Sequence, residues 1–167
     1  VPRGSILHSR PVNGVPCVFR TVYDTTLWPF SVTSAQWTSP DRAGGGGHGR
    51  EAVGAIRLEL RAFDGVKLKD LSIDSLRLHL AGDASVADTL YELLLNNASP
   101  VVVSNPDRPT VPPIVLGRGA VTAYGLGPDQ QMLPFPTRTF TGFNLLLELF
   151  TFPEKFRFVE VQGFGEA

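Results

Sequence analysis

Strict alternation of apolar and polar residues marks two segments of the chain. Residues 76–81 carry leucine at every second position, and residues 56–61 show the same order with aliphatic residues and charges. Because successive side chains of a strand point to opposite faces, both segments predict strands with one buried face and one solvent-exposed face. In the segment 56–61 we expect Ile56, Leu58 and Leu60 to face the core. Arg57, Glu59 and Arg61 should face solvent.

Shorter strands are predicted where β-branched and aromatic residues cluster, at residues 17–23, 32–37, 101–103 and 156–161. The 17 glycines and 14 prolines indicate frequent turns between them. The glycine run at residues 44–47 predicts a loop. It does not lead from a strand into a helix, which a nucleotide-phosphate loop requires.

A helix is predicted from residue 85 to residues 96–97, before Pro100. Ser85 followed by Asp88 resembles a capping box, in which the Ser85 hydroxyl accepts from the free N–H groups of the first turn. One apolar face is expected at helical spacing, made of Val86, Leu90, Leu93 and Leu94.

A second helix is predicted over residues 140–150, with Thr139 or Thr141 as its cap. Pro153 ends it, because proline lacks an N–H and clashes with the preceding turn. The residue before a proline favours extended geometry, so Phe152 is expected to have left the helix. Residues 152–156 should then join this helix to the last strand.

The fold class predicted from these elements is mainly β with minor α (α+β), an antiparallel β-sandwich-like domain with two short helices. We expect one domain over residues 6–167. Residues 1–5, Val-Pro-Arg-Gly-Ser, resemble the remnant of a protease-cleavable expression tag. Because Ile6 follows them without a methionine, the chain is expected to be a fragment of a longer protein.

Composition excludes several function classes. The formal net charge of −1 provides no general attraction to nucleic acid or to an anionic membrane, so neither nucleic-acid binding nor direct membrane insertion is expected. No apolar run approaches the length of a membrane helix. The single cysteine, Cys17, cannot form an internal disulfide; it is expected to be a small buried residue.

No residue set predicts catalysis, a cofactor or a metal. His8, His48 and His79 lack the spacing of metal ligands, and no nucleophile or phosphate motif is present. Carboxylates are numerous, and sequence alone leaves open that two of them meet in a cleft. The alternative function is therefore a carbohydrate-binding β-sandwich or a hydrolase domain, which would need such a pair or a row of exposed aromatics around Trp28 or Trp37.

Two stretches carry a resemblance to a known family. In the first signature stretch, residues 14–29, Pro-Cys-Val-Phe-Arg-Thr at 16–21 leads into Leu-Trp-Pro at 27–29. The second signature stretch, residues 140–158, reads Phe-Thr-Gly-Phe-Asn-Leu-Leu-Leu-Glu-Leu-Phe-Thr-Phe-Pro-Glu-Lys-Phe-Arg-Phe. Both are similar to motifs of the TssF (VasA, ImpG) family of type VI secretion baseplate proteins. Phe143 and Leu149 stand where the family often has tyrosine.

The resemblance implies a structural, non-catalytic subunit of the baseplate wedge, related to contractile phage baseplates. Its implied partners are TssG, TssK, TssE and a second TssF copy. Its implied location is the cytoplasm, at the baseplate docked on the inner membrane. Family members are considerably longer than this chain. A phage baseplate protein proper is a further alternative.

The interaction site suggested by the second signature stretch comprises Phe152, Pro153, Glu154, Lys155 and Phe156. Here Glu154 and Lys155 are expected at the surface as rim charges of a docking patch, with the two phenylalanines packed on either side of the corner. The competing interpretation is that the seven phenylalanines between residues 140 and 164 build the core.

Overall fold

The computed structural model describes residues 1–43, 48, 51–98, 100–136, 138 and 140–166. The predicted loop at residues 44–47 and the candidate cap Thr139 lie outside them. The strands are β1 Ile6–His8, β2 Val18–Arg20, β3 Phe30–Thr38, β4 Ala55–Ala62, β5 Ser75–His79, β6 Val101–Val103, β7 Ile114–Leu116, β8 Val121–Tyr124 and β9 Phe158–Gln162. The helices are α1 Pro40–Ala43, α2 Ala84–Asn96 and α3 Thr141–Thr151.

The described strands pair antiparallel in four small sheets, with the orders β1-β2, β3-β4, β5-β9-β8 and β6-β7. The predicted α+β class with antiparallel strands is confirmed, and the described residues contain three α-helices where two were expected. Sheets of two or three strands do not make the two broad layers of a sandwich, so that part of the prediction is not evident in the described residues.

The chain divides into two compact units, each built from two chain segments. Unit 1 comprises Val1–Trp28 and Gly125–Phe156, and unit 2 comprises Pro29–Tyr124 and Arg157–Ala167. The chain therefore passes from one unit to the other three times. Whether residues 6–167 unfold as one cooperative domain stays a prediction.

Unit 2 contains the apolar core, made of Leu76, Ala87, Leu116, Tyr124, Val159 and Val161. Strand β9 lies between β5 and β8, so Val161 is opposite Leu76 on one side and Val121 on the other. The predicted strand at residues 76–81 is confirmed as β5. Its polar face carries His79, which is exposed, with its ring centroid 4.6 Å from that of Phe158.

The β3–β4 hairpin of unit 2 keeps the predicted alternation, but Leu58 is not in the core. The three charged residues of β4 are exposed as expected, and Ile56 and Leu60 are half-buried. Leu58 is 41% exposed, and its partner on β3 is the small residue Ala35. A bulge in β3 between Val32 and Ser34 shifts the pairing by one residue, so that Val32 is opposite Leu60 and Ala35 is opposite Leu58.

The N-cap of helix α2 lies two residues before the predicted cap, Ser85. Asp83 is the N-cap: its Oδ1 accepts from the N–H groups of Ser85 at 2.9 Å and Val86 at 3.4 Å. Ser85 is thus inside the first turn, and its prediction as the cap was wrong. The buried face is also rotated from the predicted one, since Ala87 is buried while Val86 is 65% exposed. The helix ends at Asn96, as predicted.

Substitution of Asp83 and of Ser85 distinguishes the observed N-cap from the predicted one. We expect Asp83→Ala to lower the free energy of unfolding by about 1 kcal/mol, because two N–H groups of the first turn lose their acceptor. Ser85→Ala should change it by only a few tenths of a kcal/mol. Urea unfolding followed by circular dichroism measures both, and a larger loss for Ser85→Ala would contradict the observed cap.

The first five residues are hydrogen-bonded into unit 1. Gly4 N–H donates to the Thr21 carbonyl, and Arg3 N–H donates to Asp24 Oδ1 at 2.7 Å. The Arg3 guanidinium donates to the carbonyl oxygens of Asp129 at 3.0 Å and Gln131 at 2.7 Å. That residues 1–5 are the remnant of an expression tag stays a prediction.

Substitution of Arg3 tests whether residues 1–5 contribute to the stability of unit 1. We expect Arg3→Ala to lower the free energy of unfolding by roughly 1 kcal/mol, because two carbonyl oxygens lose charged donors. Arg10→Ala is the control, since Arg10 is an exposed residue of the same unit. Equal midpoints for the two variants in urea would mean that residues 1–5 are dispensable.

Candidate functional site

The corner after α3 has the predicted course. Phe152 is the C-cap, with φ −149° and ψ 74°, and its N–H still donates to the Glu148 carbonyl at 2.7 Å. Pro153 begins a 3₁₀ turn, Pro153–Arg157, which leads into β9. The prediction that Phe152 has left the helix is therefore confirmed. At the other end, Phe140 is the N-cap without a side-chain bond, and the candidate cap Thr141 is the first helical residue.

Lys155 is buried, which corrects the prediction that it lies at the surface. The side chains of Lys155 and Glu148 are each 1% exposed, and Lys155 Nζ is paired with Glu148 Oε2. The other carboxylate oxygen, Oε1, accepts the N–H groups of Met132 at 2.7 Å and Leu133 at 3.1 Å. A buried charge is tolerated when it is paired and hydrogen-bonded, and here the Glu148 carboxylate has both the Lys155 ammonium and two backbone N–H donors.

The protonation of Glu148 follows from these contacts. Burial raises the pKa of the carboxyl, but the hydrogen bonds from Lys155, Leu133 and Met132 outweigh burial and hold the pKa below its usual value of 4.5. Glu148 is therefore ionised at neutral pH, opposite the Lys155 ammonium.

Unit 1 buries polar side chains and exposes apolar ones. In its described part the buried side chains are Asn144, Glu148 and Lys155. Asn144 lies one turn before Glu148 on α3, and its Nδ2 donates to Gln131 Oε1 at 3.3 Å. Helices at a protein surface normally place their apolar stripe against the core, so the orientation of α3 is the reverse of the usual one.

The outward face of α3 is an uncharged apolar stripe, which we call the α3 stripe and define as Phe143, Leu146, Leu147 and Phe150. Counted from Phe143, the other three lie at i+3, i+4 and i+7, so all four share one helix face. Phe143 is 68% exposed and Phe150 84% exposed. The one charged residue of α3, Glu148, points away into the buried cluster. The stripe therefore has the composition of a protein core and the exposure of a surface.

Both signature stretches converge on the segment 129–133, which neither of them contains. From the first stretch, the Tyr23 hydroxyl donates to the Gln130 carbonyl at 2.8 Å. From the second, Glu148 accepts from Met132 and Leu133, and Asn144 donates to Gln131. With the Arg3 contacts, residues 129–133 are each held by a polar side chain from elsewhere in unit 1.

The five residues of the predicted interaction site have different environments. Phe152, Pro153 and Glu154 are exposed, Phe156 is half-buried, and Lys155 is buried. The prediction missed the α3 stripe and the Glu148–Lys155 pair. The available signal was Glu148 itself, a single charge within an otherwise uncharged helix, seven residues before the lysine.

Other kinds of site, such as a metal site or a row of aromatic residues, have little support in the described residues. They contain no group of three histidine, cysteine or acidic residues placed to hold a metal ion. Cys17 is exposed, contrary to the expected burial. Trp28 lies outside the described strands, whereas Trp37 lies on β3. No helix among these residues has the length and apolar character needed to cross a membrane.

Comparison with known proteins gives a consistent result. The family described as "Type VI secretion system, TssF" matches residues 1–167. The type VI secretion system component TssF1 of Pseudomonas aeruginosa PAO1 is 34% identical over 172 residues, covering 100% of this chain and 28% of TssF1. A cryo-electron microscopy structure of the TssK-TssF-TssG baseplate subcomplex matches with a TM-score of 0.78 and 26% identity, over 100% of this chain and 30% of the matched chain. The chain thus spans less than a third of the length of these relatives.

Proposed function

The chain belongs to the TssF family of type VI secretion proteins, and from that premise we propose that it is a structural, non-catalytic part of a baseplate wedge subunit. The matched chain comes from a structure of the TssK-TssF-TssG baseplate subcomplex, which supports TssK and TssG as partners of the whole subunit. By family resemblance TssE and a second TssF copy are further partners, and the subunit works in the cytoplasm at the baseplate docked on the inner membrane.

The observation that carries an assembly role is the α3 stripe. An exposed apolar patch without charges is costly in water and marks a surface that another protein surface covers. Unit 1 also lacks a buried apolar side chain among its described residues, so its own core supplies little hydrophobic stabilisation. Phe152 and Glu154 are also exposed, beyond the end of α3, and their part in an interaction site stays a prediction.

We assign the covering surface to another part of the same TssF polypeptide. More than two thirds of each matched relative lies outside the region that this chain covers. The stripe is uncharged and wholly apolar, which is typical of permanent contacts that resemble a domain core cut in half, whereas transient interfaces are more polar. This region would then be built into the subunit, and the completed subunit would engage TssK and TssG.

Co-purification tests the assembly role. In a full-length TssF polypeptide that includes this region, we expect Leu147→Glu combined with Phe150→Glu to prevent recovery of TssG and TssK with the tagged subunit. Phe63→Glu is the matched control, because Phe63 is also an exposed phenylalanine but lies in unit 2. Recovery of both partners at the wild-type level with the stripe variant would overturn the proposed role of α3.

A further inference from the structure

The rotation of α3 about its own axis is opposite to the one its apolar pattern favours. Apolar patterning alone would turn Phe143, Leu147 and Phe150 inward, and the structure places Asn144 and Glu148 there instead. Some other interaction must therefore select the observed rotation.

We propose that Glu148 and Lys155 are positioning residues that set the rotation of α3 so that its stripe faces outward. This inference rests on the proposed function, because it treats the outward stripe as the surface that assembly uses. It assigns the buried pair a role in specifying one orientation among alternatives, beyond any contribution to overall stability.

The contacts of Glu148 are directional, and they exist in one rotation of the helix only. One carboxylate oxygen accepts two consecutive backbone N–H groups, of Met132 and Leu133, while the other is paired with Lys155 Nζ. Turning α3 to bury the stripe would withdraw the carboxylate from all three donors. Burial of apolar side chains favours the opposite rotation, so it cannot be what selects the observed one.

Lys155 fixes the same rotation from outside the helix. It belongs to the 3₁₀ turn after Pro153, so the pair connects the buried face of α3 to the corner that follows it. The aliphatic part of Lys155 lies against Gly125, where an added Cβ would be 3.5 Å from Lys155 Cε and 3.1 Å from the Lys155 carbonyl oxygen. Buried ion pairs contribute little net stability compared with apolar replacements, and their best-supported use is to specify one arrangement.

Thiol labelling of this chain measures the rotation directly. Phe150→Cys, on a Cys17→Ser background, reports the exposure of the stripe through its rate of reaction with a maleimide. With the pair intact we expect the rate of an exposed thiol. With Glu148→Leu and Lys155→Met added, α3 is free to bury its stripe, and we expect labelling slower by about tenfold or more, since thiol reactivity depends on access.

Each outcome decides the inference. Circular dichroism establishes first that the apolar double variant is folded; if it is not, Glu148→Gln with Lys155→Met keeps an acceptor for the N–H groups of residues 132 and 133. A folded variant with an unchanged labelling rate overturns the inference, and so does failure of both double variants to fold, because the pair would then act in folding alone. The same thiol in the full-length polypeptide tests the proposed function separately. Fast labelling there would show that no other part of the polypeptide covers the stripe, and the result on the rotation of α3 would still hold.

Discussion

Lys155→Ala is expected to lower the free energy of unfolding by about 3–5 kcal/mol, the largest single-residue effect on stability that we anticipate in this chain. The substitution leaves the Glu148 carboxylate buried without its counter-charge, while the N–H groups of residues 132 and 133 still hold it in place. Urea unfolding followed by far-ultraviolet circular dichroism gives the change in midpoint and free energy.

The neighbouring Glu154 is the control for this prediction. It occupies the same 3₁₀ turn but is exposed, so Glu154→Ala should stay within about 0.5 kcal/mol of wild type. Removing both charges, with Glu148→Leu and Lys155→Met, should recover most of the stability lost in Lys155→Ala, because no unpaired charge remains. Equal losses for Glu154→Ala and Lys155→Ala would show that Lys155 is not buried in solution.

The pair also predicts how stability depends on pH. Because the folded-state pKa of Glu148 lies below its usual value of 4.5, the ionised carboxylate stabilises the folded state above that value. This contribution is lost as the pH falls from about 4.5 through the lower folded-state pKa. Free energies of unfolding measured between neutral and acid pH should therefore fall less steeply in Glu148→Gln with Lys155→Met than in wild type.

The sequence predicts those parts of the fold whose signal is local. Alternation located β4 and β5, and the proline at 153 located the corner, because each depends on a few consecutive residues. Long-range pairing was not predictable in the same way. The burial of Lys155 depends on an acid seven residues earlier and on the backbone of residues 132–133, and no periodicity encodes that combination.

The sequence did not predict the exposed α3 stripe, for a related reason. Pattern analysis assumes that the apolar face of a helix is the buried face, an assumption that fails where that face is reserved for another surface. In α3 the buried residues Asn144 and Glu148 are polar, so the hydrophobic pattern correctly indicated a helix but not which of its sides is buried. The convergence of both signature stretches on residues 129–133 suggests what their motifs specify, namely the polar framework that holds α3.

Phe150→Ala should have a large effect in the full-length polypeptide and almost none in this chain. Here Phe150 is 84% exposed, so its truncation should change the free energy of unfolding by no more than about 0.5 kcal/mol. If another part of the TssF polypeptide covers the α3 stripe, the same truncation opens a cavity in a packed contact and should cost about 3–5 kcal/mol there. Urea unfolding of both polypeptides provides the comparison.

Phe63→Ala controls for the chemistry of this change, because it removes the same side chain from unit 2 and should cost the same amount in both polypeptides. The two possible covering surfaces give different results. If TssG or TssK covered the stripe instead, Phe150→Ala would leave the full-length polypeptide as stable as wild type on its own and would weaken only the purified subcomplex. That result would replace the intramolecular assignment with an intersubunit one. If Phe150→Ala changed the stability of neither the full-length polypeptide nor the subcomplex, nothing would pack on the α3 stripe, and the proposed assembly role of the stripe would be wrong.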